Sequence, residues 1–267
     1  MSMLICVIMS EGGIEVIPNS LFSVNCYEKE ALPMARGLGF GLEVEEYLWT
    51  YTADEIKARQ AYVPGMMAGF SKFTFHGTGI SRDVEAINRL SEDELLALYD
   101  ESCGYAAFHG IFEVVFHSNY LAGMWARDAW LEWHSAFWRR FLADKGADFC
   151  VYLENFIDDT PGLLAELHDR VEDDRFKICL DTGHACCNAA EIPLGEWIRR
   201  LGKRIRHVHL HNNDTVSDKH WALGRGALDM AVVLDDLMAY ADVKTFVLEC
   251  AVADSVDWLR GNGFISG

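Results

Sequence analysis

Residues 204–214 read Arg-Ile-Arg-His-Val-His-Leu-His-Asn-Asn-Asp, so three histidines alternate with apolar residues. Successive side chains of a β-strand point to opposite faces, which places the three histidines on one face and Val208 and Leu210 on the other. In a parallel barrel the apolar face packs against helices, and the histidines point towards the barrel axis. Buried imidazoles need a polar partner there. A metal ion is the simplest partner, and hydrogen-bonded core histidines are the alternative. Asp218 and His220, just beyond the stretch, favour the metal.

Length and charge limit the classes of protein to which this chain can belong. Its 267 residues are close to the roughly 250 of a single (β/α)8 barrel. A hydrophobic content of 51% is enough for a large core and argues against disorder. The formal net charge of −18, from 23 Lys and Arg against 41 Asp and Glu, argues against a nucleic-acid binder and against attachment to anionic membranes. A small phosphorylated substrate held by a few local cations stays compatible with that charge.

The eight cysteines form no Cys-x-x-Cys pair, and several lie in apolar strand-like runs, where a free thiol packs as a small hydrophobic group. Such cysteines are typical of a reduced protein of the cytoplasm. The apolar run at residues 3–9 lacks a basic flank and a small-residue cleavage site, so it does not predict a signal peptide. No stretch approaches the roughly 20 apolar residues of a membrane span. We therefore expect a cytoplasmic protein.

Apolar strand-like runs alternate with helix-like segments along the chain, which predicts βα units and a parallel sheet. Eight such strands in a chain of this length predict an α/β protein with a closed (β/α)8 TIM barrel, in a single domain over residues 1–267. An open doubly wound sheet is the alternative, but it normally carries a glycine-rich turn after its first strand. The predicted strands are residues 14–17, 41–45, 72–76, 112–117, 149–154, 177–181, 206–211 and 245–249.

Two short apolar runs compete for the place of the first barrel strand. Residues 4–9 and 14–17 flank a Glu-Gly-Gly turn. We favour 14–17 as the barrel strand, which leaves an extra strand within residues 1–13 to close the barrel bottom.

Helix starts are marked by side chains that accept hydrogen bonds from the first turn. Thr52 and Ser91 each open a capping box, and Thr160 with Pro161 opens another helix. The stripe of aromatic residues within 128–143 predicts packing against the barrel. The other predicted helices are residues 27–38, 193–201, 229–240 and 256–260.

Six consecutive predicted strands end in His, Asp or Glu. In a (β/α)8 barrel the C-terminal ends of the strands surround the active site. Solvation explains one or two polar strand ends easily, but it explains six in a row, all of metal-ligand type, poorly. Such a mixed oxygen and nitrogen set suits Zn²⁺ or Mn²⁺, and also Co²⁺ or Mg²⁺, any of which acts as a Lewis acid on a substrate oxygen. In chain order the residues are His76, His117, Glu154, Asp181 with His184 in the next turn, His209 with His211, and Glu249.

Four motifs in this order resemble the xylose isomerase-like barrel superfamily, which holds sugar (phosphate) isomerases and epimerases and also endonuclease IV. The resemblance extends from about the second strand to Glu249. Many relatives carry Asp where this chain has Asn212. The motifs are Leu-Glu-Asn at 153–155, Leu-Asp-Thr-Gly-His at 180–184, His-Val-His-Leu-His at 207–211 and His-Trp-Ala-Leu-Gly-Arg-Gly at 220–226.

The resemblance implies roles for these residues. In the epimerase branch one metal is held by residues that match Glu154, Asp181, His209 and Glu249, with His211 as the competing ligand, and the two glutamates form the acid–base pair. His207 would lie deeper as a satisfied core residue. Endonuclease IV holds three zinc ions, and its further ligands are similar to five residues here, namely His76, His117, His184, Asp218 and His220.

The sequence therefore predicts a metal-dependent sugar (phosphate) isomerase or epimerase that transfers a proton through an enediolate on a metal-chelated ketose or aldose. We expect His184, His211, Arg225 and Trp221 to contact the sugar or sugar phosphate. The alternatives are an endonuclease IV-like phosphodiesterase on abasic DNA, a lyase or dehydratase on a polyol-derived ketone, and a barrel without catalysis. Assembly into a homo-oligomer stays open.

Overall fold

The computed structural model describes residues 16–49, 51–78, 84–189 and 191–266. Eight parallel strands follow one another around a closed barrel in chain order, and the last strand pairs with the first. The predicted (β/α)8 barrel is confirmed. The strands are β1 Phe22–Val24, β2 Gly41–Val44, β3 Phe73–His76, β4 Glu113–His117, β5 Cys150–Glu154, β6 Phe176–Asp181, β7 Ile205–Leu210 and β8 Thr245–Leu248.

Helices connect the strands and cover the outside of the barrel. None of those in the described part of the chain is long and apolar enough to cross a membrane. Short 3₁₀ turns at Asn19–Leu21, Lys29–Ala31 and Gly202–Arg204 precede β1, the first helix and β7. The helices are α1 Leu32–Gly37, α2 Ala53–Met67, α3 Val84–Ile87, α4 Glu92–Phe108, α5 Arg127–Ala143, α6 Pro161–Val171, α7 Thr182–Asn188, α8 Leu194–Leu201, α9 Met230–Tyr240 and α10 Val252–Gly261.

The prediction of residues 14–17 as the first barrel strand was wrong. That place belongs to β1, which pairs with β2 and β8. The Phe22 ring stacks on Phe40 and Phe246, at 5.5 and 5.4 Å between ring centres, so β1 is held by aromatic packing outside the barrel. A strand of three residues is too short to show a period of two in the sequence. Residues 1–15, with the expected extra strand, lie outside the described residues.

Two further differences concern helices. Residues 27–38 form a 3₁₀ turn followed by α1, and the last helix begins at Val252 rather than at residue 256. The short helices α3 and α7 were not predicted, because four and seven residues are too few for a clear helical period. The seven cysteines among the described residues are all free thiols.

The aromatic stripe of α5 packs against its neighbours, as its spacing indicated. Trp130, Phe137, Trp138 and Phe141 are almost completely buried, and the Trp138 ring contacts Phe176 of β6 at 5.2 Å. Large aromatic side chains contribute much of the burial in such a layer. The stripe therefore anchors α5 to the barrel.

Substitution of Ser91 by alanine should lower the free energy of unfolding by about 1 kcal/mol. The Ser91 hydroxyl accepts the Glu94 N–H, and Glu94 in turn accepts the Ser91 N–H, so both predicted capping boxes, here and at Thr52, are confirmed. The loss is measured by urea denaturation. Ser91→Thr keeps the acceptor oxygen and should stay near the wild type. Equal losses in both variants would contradict a capping role.

Candidate metal centre

His209 at the end of β7 points its Nδ1 atom into a group of three carboxylates. This nitrogen lies 3.3 Å from Glu249 Oε1, 3.5 Å from Glu154 Oε2 and 3.9 Å from Asp181 Oδ2. It is buried and has no hydrogen-bond partner among the described residues. Ligand atoms that share one cation at bonds of about 2.0–2.2 Å lie roughly 3–3.5 Å apart. We call these four side chains the His209 centre; the Nδ1 distances to Glu249 and Glu154 match those of ligands that share a cation, and the distance to Asp181 is longer.

Strand register brings these residues together. Asp181 on β6 is level with His209 on β7, and Glu154 on β5 is level with His117 on β4. The register shifts between Ile178 and Cys179, which precede the pair of Asp181 and His209 along the strand. Because all strands are parallel, their polar ends meet at one end of the barrel.

Glu154 is also surrounded by histidines from three other elements. Its Oε2 lies 3.1 Å from His76 Nε2 and 3.4 Å from His117 Nε2, and its Oε1 lies 3.1 Å from His184 Nδ1. Burial raises the pKa of the Glu154 carboxyl, but His117 and His209 outweigh it and hold that pKa well below its usual range. Glu154 is therefore a carboxylate at neutral pH. We call His76, His117 and Glu154 the His76 cluster.

A third group of ligand atoms lies beside α7 and the loop after β7. Its side chains have ligand atoms within 4.8 Å of one another, and Asp218 carries its carboxylate. An Asp218 oxygen lies 3.1 Å from His220 Nε2 and 3.4 Å from His184 Nε2. Asp181 Oδ1 lies 3.0 Å from His211 Nε2, so Asp181 joins this group to the His209 centre. We call the group the His220 cluster, and it consists of His184, His211, Asp218 and His220.

His211 can lie here because the neighbouring residue is glycine. A Cβ atom on Gly183 would lie 1.9 Å from His211 Cε1, so no other residue fits without displacing the imidazole. The His211 ring is fully buried and stacks on His220 at 4.0 Å. Asp181 accepts the His184 N–H at 2.6 Å, and the Asn155 side chain bonds both backbone groups of Asp181. Hydrogen bonds thus connect the Leu-Glu-Asn motif with the Asp-Thr-Gly-His motif.

A cavity of about 610 Å³ opens above these groups. Its described lining contains carboxylates, histidines and aromatic or apolar residues but no Lys or Arg. Arg225 and Trp221, which we expected at the substrate, lie outside this lining in a neighbouring groove that shares His220, with the guanidinium 4.5 Å from the indole ring centre. The acidic and imidazole side chains of the described lining are Glu28, Glu45, His76, His117, Glu154, His184, Asp218, His220 and Glu249.

Sequence reasoning gave no role to two glutamates of the second strand. Glu45 is buried, lines the cavity, and has its pKa raised well above the usual range, first by burial and then by Glu249. Glu43 is completely buried below His209. Their alternation with Val44 was the available signal, because two glutamates on the inner face of a barrel strand are costly without partners.

Metal binding at the His220 cluster should release a proton near neutral pH. Burial lowers the pKa of His220, but hydrogen-bonded Asp218 and nearby Glu249 outweigh burial and raise that pKa to about 9. His220 therefore carries a proton at pH 7 in the metal-free protein, and a metal must displace it. Burial also lowers the pKa of His184, but Asp181 outweighs burial and raises that pKa well above its usual range, so His184 must lose a proton as well. We therefore expect affinity at this cluster to rise by at least about tenfold per pH unit below pH 9. Calorimetry in buffers of different ionisation enthalpy measures the released proton.

The same proton also links metal-free stability to pH. A raised pKa contributes stability that is fully present below the ordinary value of 6.5 and is lost as the pH rises through about 9. His220→Asn removes one titrating group and should reduce both dependences. Equal metal affinity at pH 7 and pH 9 in the wild type would contradict the assignment.

Comparison with known proteins places this barrel in a family. The model of the xylose isomerase-like TIM barrel matches residues 53–261, well over half of the chain. An uncharacterized protein of Methanocaldococcus jannaschii is 31% identical over 78 residues. That match spans 29% of this chain and only 27% of the length of that relative.

Solved structures share the fold at lower identity. A D-tagatose 3-epimerase-like protein has a TM-score of 0.66 and 18% identity, covering 90% of this chain and 96% of its own. A Thermus thermophilus protein soaked with ZnCl₂ has a TM-score of 0.63 and 24% identity, covering 90% and 97%. The D-psicose 3-epimerase of Clostridium cellulolyticum H10, solved with D-tagatose, has a TM-score of 0.63 and 15% identity, covering 91% and 99%. The chain belongs to the xylose isomerase-like TIM barrel family.

Proposed function

We propose that this chain is a metal-dependent sugar isomerase or epimerase, which moves a proton next to a carbonyl through an enediolate. The observation that carries the proposal is the pair Glu154 and Glu249, which flank His209 Nδ1 within 3.5 Å and both line the cavity. Two carboxylates on either side of one substrate carbon are the arrangement that removes a proton from one face and returns it to the other. The sugar epimerases among the structural neighbours support the same chemistry.

The side chains of this site would have different roles in the proposed reaction. A bound divalent cation, Zn²⁺ or Mn²⁺ by the mixed donor set, supplies Lewis-acid polarisation of a substrate oxygen. Glu154 is kept ionised by its histidines, so it carries no proton at neutral pH, as the role of a general base requires. Glu249 reaches the cavity beside Glu45, whose raised pKa keeps a proton available next to it. Phe156 stacks on His117 at 4.3 Å and supplies an apolar wall for a sugar face.

The cavity favours an unphosphorylated sugar. A volume of about 610 Å³ accommodates a monosaccharide, and ligand sites generally fall between about 300 and 1,000 Å³. Its described lining carries five carboxyl groups and no Lys or Arg, so a phosphate group would meet acids and histidines without a lysine or arginine to bind it. A ketose or aldose with free hydroxyls meets hydrogen-bond acceptors on every side.

A phosphodiesterase of the endonuclease IV type is the second candidate, and one observation favours it. Glu154 belongs to both the His209 centre and the His76 cluster, and Asp181 of the His209 centre contacts His211 of the His220 cluster, so the site has ligand-type residues for more than one cation. Paired metal ions are typical of phosphoryl-transfer enzymes. The net charge of −18 and the acidic cavity oppose binding of a DNA backbone.

Exchange in D₂O tests the proposal. The metal-loaded protein is incubated with a panel of ketoses and aldoses, and in parallel with a duplex that contains an abasic site. We expect deuterium next to the carbonyl and a new sugar isomer, both abolished by a chelator. Loss of water from the sugar would indicate a lyase instead. Cleavage of the abasic duplex without exchange in any sugar would overturn the proposal in favour of the phosphodiesterase.

A further inference from the structure

We propose that Glu43 is a positioning residue that holds His209 by its Nε2 atom, so that Nδ1 faces the metal. The inference rests on the proposed metal centre. Glu43 is completely buried on β2, below the His209 centre. Its Oε1 lies 2.9 Å from His209 Nε2. The two nitrogens of the His209 ring thus face two different sets of carboxylates, with Glu43 on one side and the His209 centre on the other.

The orientation follows from what an imidazole can do. A neutral imidazole has one N–H and one lone pair, and a metal takes the lone pair. Glu43 Oε1 lies at ion-pair distance from Nε2, and both atoms are buried without a hydrogen-bond partner among the described residues. A carboxylate accepts but does not donate, so the N–H belongs on Nε2 and the lone pair on Nδ1. Carboxylates commonly orient metal-binding histidines in this way.

The surroundings of Glu43 keep its carboxylate in place. Thr74 Oγ1 donates to Oε2 at 2.7 Å, and His207 Nε2 lies 2.9 Å from the same oxygen. His207 is in turn stacked on the Tyr152 ring at 4.8 Å. An isolated buried carboxylate would be very costly. Contacts with Thr74 and two histidines offset that cost. The interior of the barrel therefore stabilises the Glu43 carboxylate beside His209.

Metal affinity of Glu43→Gln tests the proposal, measured by competition with a chelator. This variant keeps the shape of the side chain and removes its charge. We expect roughly a 10- to 100-fold loss of affinity, the usual effect of losing an outer partner of a metal ligand. Glu43→Asp keeps the charge and should recover part of the loss. Tyr152→Phe is the control, because it keeps the ring that stacks on His207 and removes only the hydroxyl that donates to Glu113; its metal affinity should equal that of the wild type.

Spectroscopy of the wild type gives a second readout that does not depend on a core variant folding. In zinc-loaded protein labelled with ¹⁵N-histidine, long-range proton–nitrogen correlations should show His209 bound through Nδ1 with a proton on Nε2, the signal being assigned with His209→Gln. Binding through Nε2, or unchanged affinity in Glu43→Gln, would overturn the proposal. Complete loss of binding in Glu43→Gln and Glu43→Asp alike would make Glu43 a ligand instead. A wild type that binds no metal overturns this inference and the proposed function together, whereas metal binding without sugar turnover overturns only the function.

Discussion

Glu249→Gln is expected to lower kcat for sugar turnover by roughly 10²- to 10⁴-fold at saturating metal, the range in which a general acid or base contributes. The Glu249 carboxylate lies 3.3 Å from His209 Nδ1 and lines the cavity, so it reaches both the metal position and the substrate. Glutamine keeps an oxygen for the metal but cannot exchange a proton. The measurement is kcat and KM for the sugar that shows deuterium exchange, with metal content determined in the same samples.

Glu28→Gln is the matched control for that variant. Glu28 lines the same cavity, and its carboxylate accepts the Val252 N–H, with no contact to His209. The change in charge is the same, so an effect of cavity charge alone would appear in both variants. Turnover of Glu28→Gln close to that of the wild type, beside a large loss in Glu249→Gln, supports the acid–base role. Similar losses in the two variants would refute it.

Much of the fold could be predicted because its signals are local. Capping residues such as Ser91 act within one helical turn, and a run of alternating residues such as 205–210 carries its own period. Strand ends could be predicted for the same reason, since each polar residue follows an apolar run. The common end of a parallel barrel then places Glu154, Asp181 and His209 near one another without any knowledge of distances.

The remaining features depend on contacts that one segment does not show. β1 is held by Phe40 and Phe246, which are distant in sequence. Strand parity places His211 on the inner face, but only the absence of a Cβ on Gly183 admits its ring beside Asp181. Glu43 can contact His209 only because the barrel places β2 across from β7. The sequence pattern therefore identifies residues of metal-ligand type. Their division into the His209 centre, the His76 cluster and the His220 cluster can be seen only from the strand register.

Asp181→Asn is expected to weaken metal binding at the His209 centre by more than the roughly 10- to 100-fold typical of an outer partner, and with it sugar turnover. Burial raises the pKa of Asp181, but His184 and His211 outweigh it and lower that pKa to about 2, so its full charge is present at neutral pH. Asparagine removes this charge from both the His209 centre and the His220 cluster. Metal analysis and chelator competition measure the loss.

Asp218→Asn separates a site that needs one metal from a site that needs several. Asp218 contacts His184, His211 and His220, but the structure places it in no contact with His209. If one metal at the His209 centre is enough, as the resemblance to the epimerases implies, Asp218→Asn loses cation binding at the His220 cluster and retains most turnover. Adding metal back to the metal-free wild type should then restore full turnover at one equivalent. If turnover fails in Asp218→Asn as completely as in Asp181→Asn, the clusters act as one multinuclear site, and a mechanism that needs only the metal at the His209 centre is wrong.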